Sequence, residues 1–412
     1  MTEAQRFRIP AYVSVAILSF VAIAADGYDL GIFGAAVPDL LTEPGWGLTT
    51  GAVGVIASTA LLGACVGSIA AGVLTDRFGA RRLFLAAIIW FSVGMIACAL
   101  APNPAILAFA RLATGFGLGG LAPAAIALTF GVAPELRRNF INGVMLTGLP
   151  IGTLIAALTA LALLADTGWR GVFFIGGVVP LLLIVPIGMV KLKKWAPDAP
   201  RGAEALAANT SESGPRVLLH GRNARMLTAF VAITFCCQLL SFGLLTWLPQ
   251  IMKSAGFSLG SSLVFLSVFS LGAVVGTAGG ARIADRIGPR SVTIAGFALG
   301  ALGILTLAIN PPQPILYLAL LLAGAGTIGM QPVVYGYAAQ QLPAQARGTT
   351  IGVIGGVGRI GGVCGPILGG FLAGLPAFAN FAGFAAIALV AALLAERSTS
   401  TAVSVGDPIP QM

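Results

Sequence analysis

The chain has 412 residues, of which 57% are hydrophobic and only 9% charged, and its mean hydropathy is +0.96. Soluble globular proteins carry roughly 25% charged residues, so this composition excludes a water-soluble enzyme or binding domain and indicates a polytopic membrane protein. The formal net charge of +9 suits a basic face against anionic lipid. The basic residues sit in short loops without interleaved aromatics, which excludes a nucleic-acid surface.

Twelve apolar segments of bilayer length follow one another, near 11–40, 51–75, 83–101, 104–131, 140–164, 169–190, 226–252, 260–284, 291–309, 312–341, 348–373 and 376–395. The first holds Asp26 and Asp29, three residues apart and so on one face of a helix. Arg6 and Arg8 with Ala22-Ile23-Ala24 have the outline of a cleavable leader, but the apolar run continues past them, so the segment is expected to remain a span. The fourth segment holds Arg111 and the eleventh Arg359. An ionised group at the bilayer centre costs several kcal/mol and ordinarily faces a partner or a wet cavity. These four residues are where function is expected. Gln331, Tyr335 and Tyr337 in the tenth segment, with Tyr28 in the first, are candidates to line a cavity and read a ring. Plainer alternatives stand beside each: a structural acid pair, packing counter-ions, lipid-facing or packing aromatics.

Segment 191–225 collects Ser, Pro, Gly and most of the soluble-type charge, so it reads as a cytoplasmic linker between an N-terminal six-helix bundle (1–190) and a C-terminal one (226–397), with a tail at 398–412. The five cysteines fall in apolar segments without metal-ligand spacing and read as small packing residues. The one histidine, His220, lies in the linker. Carboxylates must therefore carry any intramembrane proton. No nucleophile–base or metal constellation points to an enzyme.

With the N-terminus inside, 19 of the 23 lysines and arginines fall on the inner side, while Arg170 and Lys253 fall outside. The positive-inside rule then places both termini in the cytoplasm of a cell (inner) membrane. The halves are also copies at a gap-free offset of 209: Gly63 and Gly67 match Gly272 and Gly276, Asp76, Arg77, Gly79 and Arg81 match Asp285, Arg286, Gly288 and Arg290, and Gly115, Gly117, Gly120 and Pro123 match Gly324, Gly326, Gly329 and Pro332. At this offset Asp26 and Asp29 fall on Phe235 and Gln238, Arg111 on Leu320, and Pro150 on Arg359. Charges that serve the shared fold should recur; these occur once, which ties them to substrate or ion. A parallel six-span repeat is the plan of carriers that rock two halves about a midplane site.

Gly72-Val-Leu-Thr-Asp76-Arg77-Phe-Gly79-Ala-Arg81-Arg82 resembles the loop after the second helix of the major facilitator superfamily, and Arg111-Leu-Ala-Thr-Gly115-Phe-Gly117-Leu-Gly119 resembles its fourth-helix motif. The second copy departs by placing Ala281 where glycine is usual. Asp26-Gly27-Tyr28-Asp29 and Gly358-Arg359-Ile-Gly361 are similar to motifs of its aromatic acid:proton symporter family. The resemblance implies an all-α integral membrane fold of twelve helices in two pseudo-repeats. It also implies proton-coupled uptake of a small aromatic carboxylate, such as benzoate or a hydroxybenzoate, by alternating access. Asp26 and Asp29 would couple protons. Arg359 would bind the carboxylate, with Arg111, Tyr28, Gln331, Tyr335 and Tyr337 around it. Asp76, Arg77, Arg81, Asp285, Arg286 and Arg290 would form a cytoplasmic gate. The expected partners are the substrate, protons and lipid, for a monomer that needs no cofactor beyond the proton gradient. The competing expectation is a proton-coupled exporter of drugs or organic acids. Against it, the fifth segment reads Gly148-Leu-Pro150-Ile-Gly152 and lacks the antiporter Gly-Pro motif.

Overall fold

The structure, a computed structural model, describes residues 11–134, 138–195, 218, 221–343 and 346–398. Most of the expected linker, including His220, and the tail beyond Ser398 lie outside the described residues. The elements are α1 (Ala11–Leu40), α2 (Thr50–Phe78), α3 (Ala80–Ala99), α4 (Pro104–Val132), α5 (Arg138–Leu146), α6 (Gly148–Trp195), α7 (Gly221–Ser254), α8 (Leu259–Ile287), α9 (Pro289–Ala308), α10 (Gln313–Gly326), α11 (Gln331–Gln341), α12 (Arg347–Leu372) and α13 (Ala377–Arg397).

Eleven helical stretches among the described residues are long and apolar enough to cross a bilayer. One of them, Gly143–Leu182, is 40 residues long. At 1.5 Å per residue that is about 60 Å, twice the ~30 Å hydrocarbon core. It turns back at Gly168, whose φ of 65° and ψ of 178° are open to glycine and strained for other residues. Two crossings result, and the total is twelve.

The repeat is visible in the way the helices begin and end. Thr49 accepts a hydrogen bond from the Ala52 N–H at 3.2 Å to start α2, and Ser258 does the same for Ser261 at 3.1 Å to start α8. Both helices end on a glycine at positive φ, Gly79 at 83° and Gly288 at 90°. Their N–H groups bond Thr75 O at 2.8 Å and Ala284 O at 3.0 Å. Inside each half, Gly63 and Gly115 face the backbones of Leu112 and Ala60, as Gly272 and Gly324 face those of Leu321 and Phe269. A side chain at any of these positions would collide with a neighbouring helix, which is why small residues carry packing where lipid supplies no hydrophobic drive.

The register fails in one place. Gly152 lies against the backbone of Ala24, whereas its copy Gly361 lies against Phe235. Ala24 and Phe235 are 211 apart, not 209. In space, Asp26 and Asp29 therefore correspond to Cys237 and Leu240 rather than to Phe235 and Gln238.

The tenth span, expected to be continuous over 312–341, is broken. Thr327 leaves the helix (φ −112°, ψ −85°), a 3₁₀ turn follows at Ile328–Met330, and α11 resumes with Pro332 in its first turn. Pro332 has no N–H to continue the ladder, and the freed Thr327 carbonyl takes the Cys237 thiol at 3.5 Å.

The halves meet along α2 with α12, α1 with α7, and α6 with α8. Gly54 approaches Pro366 O, Gly370 approaches Thr50 O, and Ser58 Oγ donates to Val363 O at 2.6 Å. Gly34 of α1 sits against the Leu245 carbonyl of α7. These contacts all lie toward the end that carries loop 41–49. Towards the Gly79 and Gly288 turns the seam parts. Gly352 and Gly356 of α12 have nothing within 4 Å of a side chain built on them. The halves are thus packed closely at the end that carries loop 41–49, the shut end, and apart at the other, the open end.

Candidate functional site

Asp26 and Asp29 share α1 yet have different partners. Asp29 is fully buried and forms an ion pair with Arg111 of α4. The Arg111 guanidinium lies over the Phe33 ring, 4.8 Å from its centroid, and 5.9 Å from that of Phe173 in the sixth span. The pair is incomplete: Asp29 Oδ2 and Arg111 Nε are buried with no hydrogen-bond partner among the described residues. Buried polar atoms are normally satisfied, so the pair keeps one acceptor and one donor without a protein partner among the described residues.

Asp26 is half-buried, with no hydrogen-bond or ion-pair partner among the described residues. It lies in the electrostatic reach of Asp29 and of Arg359. Arg359, on α12 at the point where the seam opens, donates from Nη1 to the Ala64 carbonyl of α2 at 2.8 Å. That hydrogen bond joins the halves and leaves the rest of the guanidinium fork uncommitted. Across from it, Gln331 at the first position of α11 donates to Gln238 Oε1 of α7 at 2.6 Å. Tyr335, one turn further along, interacts with the Gln331 side chain and lies within reach of Arg359. The break at Thr327 sets this wall, because it starts a fresh helix with Gln331 at its first position.

The structure thus brings together Asp26, Arg359, Gln331 and Tyr335, and separately pairs Asp29 with Arg111. Three expected lining residues stand elsewhere. Arg111 is 1% exposed and serves Asp29 rather than the cavity. The Tyr28 hydroxyl donates to Val172 O at 3.0 Å, and its ring walls an apolar cavity of about 230 Å³ between the first, fifth and sixth spans, with Ile155, Thr159 and Val179. Tyr337, two residues from Tyr335 and so on the opposite face of α11, is 1% exposed and packs edge-on to Phe230 at 4.9 Å. Gln238 escaped the sequence reading, although an amide in the apolar run Cys236-Cys237-Gln238-Leu239 is an intramembrane polar group of the kind that signals a lined cavity.

The expected gate residues cluster at the open end. Arg77 is exposed, with its guanidinium 5.4 Å from the Phe78 ring, and Arg81 is half-buried. Asp285 and Arg286 are exposed. Arg290 donates to Glu396 O of α13 at 2.9 Å. The Asp76 side chain lies outside the described ones.

At the shut end, Glu43 accepts from Trp169 Nε1 at 2.8 Å and from Arg170 Nη1 at 2.5 Å. Burial works to raise the Glu43 carboxyl; the two hydrogen bonds and the Arg170 charge outweigh it, and the group sits below the usual glutamate range. A depressed acid stabilises the fold above its unfolded pKa and loses that contribution as pH falls through the folded value. In thermal melts, the deficit of Glu43→Gln relative to the parent should therefore hold constant from neutral pH down to the ordinary glutamate range and shrink only below it. A deficit already vanishing near pH 6 would contradict the assignment.

Two bundles of six helices, joined at a seam that carries buried charges, have the architecture of a membrane transporter, and the comparisons agree. The chain belongs to the Major Facilitator Superfamily, which matches residues 19–290 and 264–408. It is 34% identical over 363 residues to a gentisate transporter of Corynebacterium glutamicum, covering 87% of this chain and 81% of that one. It is 30% identical over 403 residues to a benzoate transport protein of Acinetobacter baylyi, covering 90% and 86%. The crystal structure of a D-xylose-proton symporter superposes with a TM-score of 0.80 at 18% identity, covering 95% of this chain and 99% of that one; this likeness concerns the fold.

Proposed function

We propose that the protein takes up a small aromatic carboxylate together with protons, by alternating access and without a cofactor. The observation that carries this reading is Arg359. It is a cation at the seam of the halves, held by one backbone carbonyl, within the field of an unpaired acid, Asp26. A guanidinium fork suits a planar carboxylate. Substrate that occupies Arg359 withdraws the counter-charge from Asp26, and a proton on Asp26 then restores neutrality. A neutral cavity closes at far lower cost than a charged one. The Gln238–Gln331 amides and Tyr335 offer hydrogen bonds to ring substituents. The aromatic-acid relatives support the substrate class.

With both termini in the cytoplasm, the open end faces inward. Cysteine labels in 191–225 should then react only from the cytoplasm and labels near Trp46 only from outside; the reverse pattern would remove the orientation. The transport reading is tested in vesicles: an inward proton gradient should drive accumulation of labelled benzoate or gentisate. Gradient-driven expulsion would favour the exporter.

A further inference from the structure

The first turn of the sixth span, just after the Gly168 bend, makes more ties than any transport step uses. Arg170 donates to Glu43 in loop 41–49 and, at 3.3 Å, to the Ala101 carbonyl between the third and fourth spans. It thereby pins three connections of the N-terminal bundle at its shut end. Its guanidinium also covers the Trp169 ring, 4.3 Å from the centroid, and Trp46 packs on Trp169 at 5.5 Å. Trp169, held at its N–H by Glu43, stands edge-on to Phe173 at 6.0 Å. Phe173 stands edge-on to Phe33 at 6.4 Å, and these two rings flank the Arg111 guanidinium. An unbroken stack thus runs from a surface carboxylate to the buried Arg111–Asp29 pair.

We propose that Glu43, Trp169, Arg170 and Phe173 form a positioning device that holds Arg111 on Asp29, so that the outer rim of the bundle sets the geometry of the buried acid. A lone, part-exposed Glu–Arg pair contributes little by itself. Here the pair fixes the orientation of an indole, the indole a phenyl ring, and the ring a guanidinium that has few other restraints, since its Nε is unpartnered. Arg111 has no hydrogen-bond partner but Asp29 among the described residues, and the aromatic cage is what limits its swing. The stack gives Glu43 a side-chain route to Asp29 in addition to the backbone of α1, which ends at Leu40.

The test is a double-substitution cycle read by thermal unfolding of the full-length protein in nanodiscs, with the parent, Glu43→Gln, Asp29→Asn and the double variant. Roughly 16 Å of helix separates Asp29 from the end of α1, beyond the ~7–10 Å within which substitutions ordinarily couple. Positioning through the stack predicts non-additivity: Glu43→Gln lowers Tm in the parent and much less once Asp29 is neutral and Arg111 has nothing to be held on. Additive Tm losses overturn the proposal. Should Asp29→Asn not fold, the pH profile of labelled benzoate uptake is decisive. Glu43→Gln and Arg170→Ala should each move its midpoint by about 1 pH unit or more, Glu43→Asp should restore it in part, and Lys253→Gln on the same rim should leave it in place. An unmoved midpoint in Glu43→Gln, in a protein whose midpoint Arg111→Lys does move, equally overturns the proposal. Only this second arm rests on Asp29 carrying a proton. Normal accumulation by Asp29→Asn together with a non-additive Tm cycle would sink the proton role and leave the positioning device standing.

Discussion

Arg359→Lys should weaken substrate binding by about 1–3 kcal/mol, the scale of a charge-assisted hydrogen bond, or roughly 5- to 150-fold in affinity. Lysine keeps the charge near Asp26 but loses the planar fork that can meet both oxygens of a carboxylate. It also loses the reach that lets Nη1 hold Ala64 O while the remaining N–H groups stay available. Arg359→Gln should abolish recognition and leave Asp26 without its neighbouring cation. The parent should bind benzoate and reject benzamide, which matches it in ring and shape and differs in the anion. Binding measured in detergent separates these effects from transport. A Lys variant with parental affinity, in a protein indifferent between benzoate and benzamide, would remove Arg359 from the carboxylate site.

The second large effect concerns the buried pair. Removing one partner of a desolvated ion pair leaves an uncompensated charge, at a cost of about 3–5 kcal/mol, whereas removing both together is far cheaper. Arg111→Leu should therefore melt well below the parent, and adding Asp29→Asn should recover much of the loss. Asp26, half-buried and unpaired, is different: Asp26→Asn should fold like the parent, still exchange substrate across the membrane, and fail to accumulate it against a gradient. The two acids, equivalent when read on one helix face, should thus separate into one whose loss is seen first in stability and one whose loss is seen first in coupling. Two Asn variants that both accumulate normally would make the carboxylates structural.

That separation shows where sequence reasoning stops. Hydropathy placed the twelve crossings because backbone in lipid has little choice but to be helical, and the caps at Thr49, Ser258, Gly79 and Gly288 follow local rules that repeat with the sequence. The major-facilitator motifs read from Asp76 to Arg82 and from Arg111 to Gly119 agree with the superfamily match. The pairing of Asp29 with Arg111 could not be read, since 82 residues separate them and nothing local links them. Nor could the turning away of Tyr28 and Tyr337. An aromatic in an apolar span gives the same signal whether it faces cavity, neighbour or lipid, and only the packed helices decide. The break before Gln331 was hidden because Pro123 in the fourth span sits in a continuous helix at the matching position. The Thr327 carbonyl accepts from the Cys237 thiol, 90 residues away, and that partner leaves no mark in the chain around Thr327.

The two-residue slip between the first helices of the halves has a consequence for how such a chain could be built. Two residues turn a helix face by about 200° and advance it by ~3 Å. Acids transferred to α7 at the 209-residue offset would stand at Phe235 and Gln238, two residues short of the positions that match Asp26 and Asp29 in space. Packed in the register of α7, they would point nearly opposite to Asp26 and Asp29. The one-sided charge of this carrier is thus written in helix phase as well as in residue identity, and a second, equivalent acid face in α7 would have to be built at Cys237 and Leu240.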